Sequence, residues 1–225
     1  MAYIFEHKAF VEPEFVDRFW RRGRMHSCLR SDTVYREGDE EGGLIQILEG
    51  VAEVQLPTGD GEVILSHLLW PGDWIGEGML LSNEPRSRYL VARTDLTYMR
   101  IPHLDLLRML DEMPLGWKAI GRIALQHQKI ATRAYTDASI RAPRLRCLAT
   151  LLRLSGYVFP HPSQDVARCV PISQEELGRM ANLCRNSTGK AINELCRDGI
   201  VRPGYRKLDI PSINAAYDYL RSQPQ

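Results

Sequence analysis

From Thr33 to Ile101 the apolar residues come in short runs, each closed by turn-forming residues. Thr33–Tyr35 is followed by Glu37-Gly38-Asp39, Leu44–Leu48 by Glu49-Gly50, Val51–Leu56 by Thr58-Gly59-Asp60-Gly61, and Val63–Leu69 by Pro71-Gly72-Asp73. Val51 to Leu56 alternates apolar and polar positions, the period of a half-buried strand. With Tyr89–Arg93 and Leu96–Ile101 completing the set, the spacing predicts a β-barrel or jelly roll. A helical patch, Glu14–Arg22, precedes it with Phe15, Phe19 and Trp20 on one side.

At Pro102 the period changes. His103–Leu110 reads as a short helix, and Pro114 suits the first turn of a longer one, where a missing N–H costs nothing. That helix runs to about Ala138. Trp117, Ile120, Ala124, His127, Ala131, Ala134 and Ala138 recur at alternating three- and four-residue steps, a heptad seam. Its 25 residues from Pro114 to Ala138 would make a rod of roughly 37 Å. The narrow stripe of small residues predicts close pairing of two copies; the alternative is a helix packed only on its own barrel.

Beyond Pro143 the chain is helical again, with Leu145, Leu148, Ala149, Leu151, Leu152 and Leu154 on the buried side, and Gly156–Pro162 predicts a loop or short strand pair. Ser173-Gln174-Glu175-Glu176 is a capping-box pattern. Leu177, Met180 and Ala181 form the buried face of that helix, and Asn182-Leu183-Cys184 the turn. A second helix from about Arg185 to Asp198 buries Ala191, Ile192 and Leu195, and Gly199 supplies a left-handed stop. Ile200–Arg202, Pro203-Gly204-Tyr205 and Lys207–Ile210 read as a hairpin. Helix, turn, helix and hairpin describe a winged DNA reader.

Charge sharpens the division. Residues 1–138 hold 16 Lys and Arg against 21 Asp and Glu, a net of −5, whereas residues 139–210 hold 12 against 6, a net of +6. An acidic half joined to a basic half suits a sensor attached to a polyanion-binding module. The fold class is therefore α+β, in three parts: a β-barrel sensor over residues 1–113, a dimerisation helix over 114–138 and a winged helix-turn-helix over 139–225.

No stretch reaches the roughly 18 apolar residues of a membrane span. Glu6, Lys8, Glu12, Glu14 and Asp17 interrupt any signal-peptide core, so a cytoplasmic protein without a membrane partner is expected. The five cysteines are scattered and contain no C-x-x-C pair, as reduced cytosolic thiols would be. Cys184, at a helix entry, is the best placed for redox sensitivity. No nucleophile elbow, Walker loop or metal-spaced His/Glu pair is present, so neither a catalytic set nor a metal site is expected, and an enzyme is not.

Two motifs resemble the cyclic-AMP receptor protein/fumarate-nitrate regulator (CRP/FNR) family of bacterial transcription factors over about Asp32 to Ile210. The first is Pro71-Gly72-Asp73-Trp74-Ile75-Gly76-Glu77 with Arg86-Ser87 following; the second runs from Ile172-Ser173-Gln174-Glu175-Glu176-Leu177-Gly178 through Arg185 and Lys190 to Asp198-Gly199-Ile200-Val201. The resemblance implies an effector site at Gly76, Glu77, Arg86, Ser87 and, on the long helix, Thr132, where cyclic AMP or cyclic GMP would bind. Glu77 would accept from a ribose hydroxyl and Arg86 would pair with the phosphate. In members that take another ligand or none, Glu77 and Arg86 would instead pair with each other, and both readings stay open. Gly78 stands where an aliphatic residue is usual, Arg88 where a small one follows, and Ala131 replaces the first of two hydroxyls. Cys28 alone in the first 140 residues argues against an iron–sulfur cluster, and His67 reads as an ordinary strand histidine.

For the reader, the resemblance implies a homodimer on a palindromic operator, with RNA polymerase as a further partner. Arg185 is expected to read guanine and Asn186 adenine, with Ser187, Thr188 and Lys190 contacting bases or phosphates. Ser173, Gln174, Arg206 and Lys207 are expected to hold the duplex through phosphates.

Overall fold

The computed structural model describes residues 11–156 and 165–222. The described chain forms two compact units, one reaching Gln128 and the other beginning at Lys129. The division falls inside the long helix.

In the first unit, helix α1 (Pro13–Arg22) leads into β1 (Arg24–Cys28), β2 (Thr33–Tyr35), β3 (Gly43–Glu49), β4 (Ala52–Pro57), β5 (Val63–Leu69) and β6 (Trp74–Ile75). A short helix α2 (Glu77–Ser82), strands β7 (Tyr89–Ala92) and β8 (Leu96–Pro102), helix α3 (His103–Glu112) and the long helix α4 (Gly116–Ala138) follow. Two four-stranded antiparallel sheets, ordered β1-β8-β3-β6 and β2-β7-β4-β5, face each other as a jelly roll. Ile45, Ile47, Val54, Leu69, Leu90 and Leu96 fill the space inside.

The outer face of the first sheet is covered too. Leu44, Trp74, Met99 and Ile101 pack with Phe15 and Phe19 of α1, Leu106, Met109 and Leu110 of α3, and Ile120 and Ile123 of α4. With both faces covered, β3 is buried from Gly43 to Ile47 and loses the in–out alternation of a half-exposed strand. Trp74 meets Phe19 edge-on, ring centroids 4.7 Å apart.

Two strands of this unit escaped the pattern reading. Four of the five β1 residues are exposed, and β6 has two residues. Neither carries a local signal; both exist by pairing, β1 with β8 and β6 with β3. Helix α4 starts at Gly116, with Pro114 in the turn ahead of it rather than in its first turn. Of the expected seam, Ile120 is buried in the barrel unit's helical core, while Trp117, Ala131 and Ala138 are exposed.

In the second unit, α4 ends and α5 (Pro143–Leu154), β9 (Arg168–Val170), α6 (Gln174–Met180), α7 (Arg185–Arg197), β10 (Arg202–Gly204), β11 (Lys207–Ile210) and α8 (Ile213–Ser222) follow. The hairpin β10–β11 is joined by β9 into a three-stranded sheet. Helix α8 was not foreseen; it buries Ile213, Ala216 and Tyr217, a helical spacing. The strand pair expected within Gly156–Pro162 lies outside the described residues from Tyr157 onward.

Candidate functional site

Two sites take shape, one in each unit. In the barrel, β6 ends at Gly76, whose φ of +119° is left-handed-side backbone that favours glycine. A Cβ there would stand 2.1 Å from the Gly43 carbonyl oxygen, so the close approach of this turn to β3 also requires glycine. The turn places Gly76, Glu77, Arg86 and Ser87 around one small cavity of about 70 Å3, with Tyr35 and Arg88 also on its wall.

Arg86 is anchored from several sides. Its backbone N–H donates to Asp39 O, and its carbonyl accepts from Gly38 N. Its guanidinium donates through one terminal nitrogen to Gly43 O at 2.9 Å and lies 4.3 Å from the centroid of the Tyr35 ring. Burial pushes the Tyr35 hydroxyl up to about 12, which keeps that ring neutral beneath the cation. Arg86 is 5% exposed, and its Nε has no hydrogen-bond partner.

Glu77 does not pair with Arg86. Its Oε2 accepts from Gly76 N at 3.1 Å, and its Oε1 lies 2.7 Å from His127 Nδ1 on α4. Burial pushes the carboxyl up, but the His127 hydrogen bond and charge, the backbone and the Arg88 charge outweigh it, leaving Glu77 below its ordinary value. Ser87 is exposed on the cavity rim, and Thr132 is exposed on the part of α4 that belongs to the second unit. Gly78 also lines the cavity, and a Cβ there would meet nothing within 4 Å.

In the second unit, the capping box forms in full: Ser173 Oγ accepts from Glu176 N at 3.1 Å, and Ser173 N donates to the Glu176 carboxylate at 2.7 Å. Asn182, at φ +49°, turns the chain, and α7 begins at Arg185. Gly178 of α6 packs directly against Thr188 of α7, leaving no room for a side chain. Ser173, Gln174, Arg179 and Arg185 line a cleft of about 610 Å3 between the two helices. Arg185, Asn186 and Lys190 are exposed on α7, and Ser187 is partly so. On the wing, Arg206 adopts φ +54° and is exposed together with Lys207, whose ammonium lies 3.5 Å from the Asp209 carboxylate.

Thr188 requires a correction. It is 2% exposed and its hydroxyl donates to the Cys184 carbonyl at 3.1 Å. It packs the two helices together and does not offer its hydroxyl to a duplex. Cys184 caps α7 with its backbone alone; its thiol is exposed, 3.3 Å from Ser187 Oγ, and the hydrogen bonds from Ser187 draw its pKa down. All five cysteines are free thiols. No helix among the described residues is long and apolar enough to cross a membrane.

Residues 25–113 match the family model of the cyclic nucleotide-binding domain, and residues 145–215 match that of the Crp-like helix-turn-helix domain. The chain belongs to the CRP/FNR family. The transcriptional regulator LdrP of Thermus thermophilus is 27% identical over 195 residues, 85% of this chain and 94% of the relative. Among solved structures, the regulator CLP of Xanthomonas campestris, described as responsive to cyclic di-GMP, shares 20% identity over 88% of this chain and 99% of its own, with a TM-score of 0.65. FixK2 of Bradyrhizobium japonicum shares 15% over 87% and 96%, with a TM-score of 0.69.

The barrel retains Arg86 as a donor, and each Glu77 oxygen has one close partner. Its cavity of about 70 Å3 falls well short of the roughly 300–1,000 Å3 usual for small-molecule sites. The side chain at this site that the sequence does not announce is His127, which meets Glu77: by spacing it belongs to the seam, and no local signal distinguishes a seam histidine from one that turns inward.

Proposed function

We propose that this CRP/FNR-family regulator is a cytoplasmic homodimer, not an enzyme, that binds a palindromic operator through two copies of α7 in successive major grooves, about 34 Å apart. The observation that carries this reading is the exposure of Arg185, Asn186 and Lys190 on the first turns of a helix held rigid behind by the capping box and the Gly178–Thr188 contact. Arg185 reads guanine through its bidentate fork and Asn186 reads adenine. Lys190 and Ser187 contact a base or phosphate, and Ser173, Gln174, Arg206 and Lys207 position the duplex on its phosphates. The exposed stripe of α4 pairs the two copies, RNA polymerase is the downstream partner, and the barrel is the sensor.

Selection of bound DNA from a random pool tests this directly. A two-fold symmetric site with half-sites one turn apart, bound by a species of twice the chain mass in sedimentation, is the expected result. A monomer, or a pool without symmetric enrichment, sinks the reading.

Of the two readings of the barrel left open by the sequence, a sensor not gated by cyclic nucleotide is favoured by the small size of the cavity around Arg86, about 70 Å3. Cyclic AMP, cyclic GMP and cyclic di-GMP should each leave the operator affinity unchanged in a gel-shift titration. A shift with any of them restores the nucleotide-gated reading.

A further inference from the structure

The wing of the reader unit holds one aromatic side chain away from the protein. Tyr205 is 90% exposed at the tip of the β10–β11 hairpin, whereas Val201, Leu208 and Ile210 at its base are buried. The pairing of Gly204 with Lys207 leaves a two-residue loop, Tyr205 and Arg206. Of the two, only Arg206 has positive φ, at +54°. That is the sign pattern of a type II turn, whose second central position prefers glycine. The glycine stands at 204 instead, where a Cβ would meet the Lys207 side chain at 2.8 Å. Pro203, just before it, has its φ fixed by the ring. A non-glycine residue held in left-handed backbone carries strain, and such residues gather at functional sites.

Arg202, Arg206 and Lys207 surround the tip and are all exposed. Strand β10 packs against α7, so the wing stands beside the recognition helix. With α7 in the major groove, the neighbouring phosphate strand takes the wing cations. Across that strand lies the minor groove, and the turn residue between the cations overlies it. A tyrosine suits this place, because its rigid ring brings a large contact area with only two torsions to fix.

We infer that Tyr205 is a further specificity-determining residue of this regulator, reading A·T against G·C through the minor groove beside the bases that α7 reads. In that groove A·T and T·A both present only the acceptors N3 and O2, and G·C adds the guanine N2 amino group. At A·T in either orientation the ring settles between the sugar walls and its hydroxyl donates to N3 or O2. At G·C the amino group occupies that depth. The hydroxyl can accept from it, but only with the ring drawn back from the walls. The resulting preference is degenerate, A or T alike, unlike the single bases chosen in the major groove.

The inference rests on the operator-binding reading, and the two fail separately. Duplexes with the selected half-sites carry A·T, T·A, G·C or inosine·cytosine at each flanking position in turn. Full-length wild type and Tyr205→Ala are titrated on them by fluorescence anisotropy. Inosine·cytosine keeps the major-groove face of G·C and lacks the N2 amino group. At one flanking position per half-site, wild type should bind A·T and T·A alike and about fivefold more tightly than G·C. Inosine·cytosine should fall within about twofold of A·T, and Tyr205→Ala should bring all four pairs within about twofold of one another.

Wild type indifferent to every flanking pair, while still selecting its half-sites, overturns the assignment of Tyr205 and leaves the regulator reading intact. Inosine·cytosine that binds as weakly as G·C overturns it too, because the minor-groove amino group would then not be what is read. A preference that survives in Tyr205→Ala also overturns it and returns the effect to groove shape alone. A chain that selects no half-site removes the regulator reading and this inference together.

Discussion

Asp137 Oδ2 lies 3.1 Å from Arg153 Nε, and the two side chains are 2% and 4% exposed. Arg133 adds a second ion pair at 2.9 Å to the other carboxylate oxygen, one turn back on the same helix, although its alignment falls short of a hydrogen bond. The last turn of α4 is thereby fastened to α5 of the reader unit by charge buried on both sides. Replacing Asp137 by Ala leaves the Arg153 guanidinium in the interior without its carboxylate, and should lower the stability of this unit by about 3–5 kcal/mol. Replacing both, as Asp137→Leu with Arg153→Met, should cost much less. Urea unfolding of the two variants measures the contrast; equal losses would contradict it.

The contact between Gly178 and Thr188 sets the spacing of the two reader helices. A Cβ at position 178 would stand 2.5 Å from Thr188 Oγ1. Gly178→Ala should therefore cost about 1–3 kcal/mol, the usual penalty for overpacking. It should also weaken operator binding, because α7 is displaced from its support. The companion variant Gly178→Ala/Thr188→Ala removes the hydroxyl oxygen that the new Cβ would meet and should recover part of both losses, read from thermal unfolding and fluorescence anisotropy.

Arg185 and Lys207 should separate base reading from phosphate contact. Arg185→Ala should cost about 1–3 kcal/mol on the selected operator and relax one base position. Lys207→Ala should weaken all sequences alike and reduce the salt slope by about one. Equal loss for Arg185→Ala on operator and random DNA would remove it from base reading.

Glu77 should make the barrel unit acid-sensitive. Its folded-state pKa lies below its ordinary value, against burial and because of His127, the backbone and Arg88. The unfolded state then binds the proton more readily, so this group's contribution is present above its unfolded pKa and is lost as pH falls through the folded one. Wild type should exceed Glu77→Gln in stability at roughly pH 7, and the gap should close by roughly pH 3. Denaturant unfolding at several pH values tests this, and a gap that widens in acid would refute it.

The elements that announced themselves in the chain are those whose causes are local. The capping box needs only Ser173 and Glu176 three residues apart, and both of its hydrogen bonds form. The strands from β2 to β5 carry their own apolar runs and turns, and Gly199 stops α7 with φ +74°. These settled the barrel, the long helix and the winged reader, because backbone propensity and burial periodicity act over a few residues.

Partner choice was decided only by the folded chain. Glu77 could have met Arg86, nine residues on, yet it meets His127, 50 residues away, while Arg86 turns to a carbonyl 43 residues back. Thr188 has the composition of a surface hydroxyl and is packed against a glycine of the neighbouring helix. Strands β1 and β6 exist because other strands offer them hydrogen bonds. In each case several partners are chemically equivalent along the chain. Packing geometry selects one, since a buried polar group must be satisfied by whatever lies within about 3 Å of it.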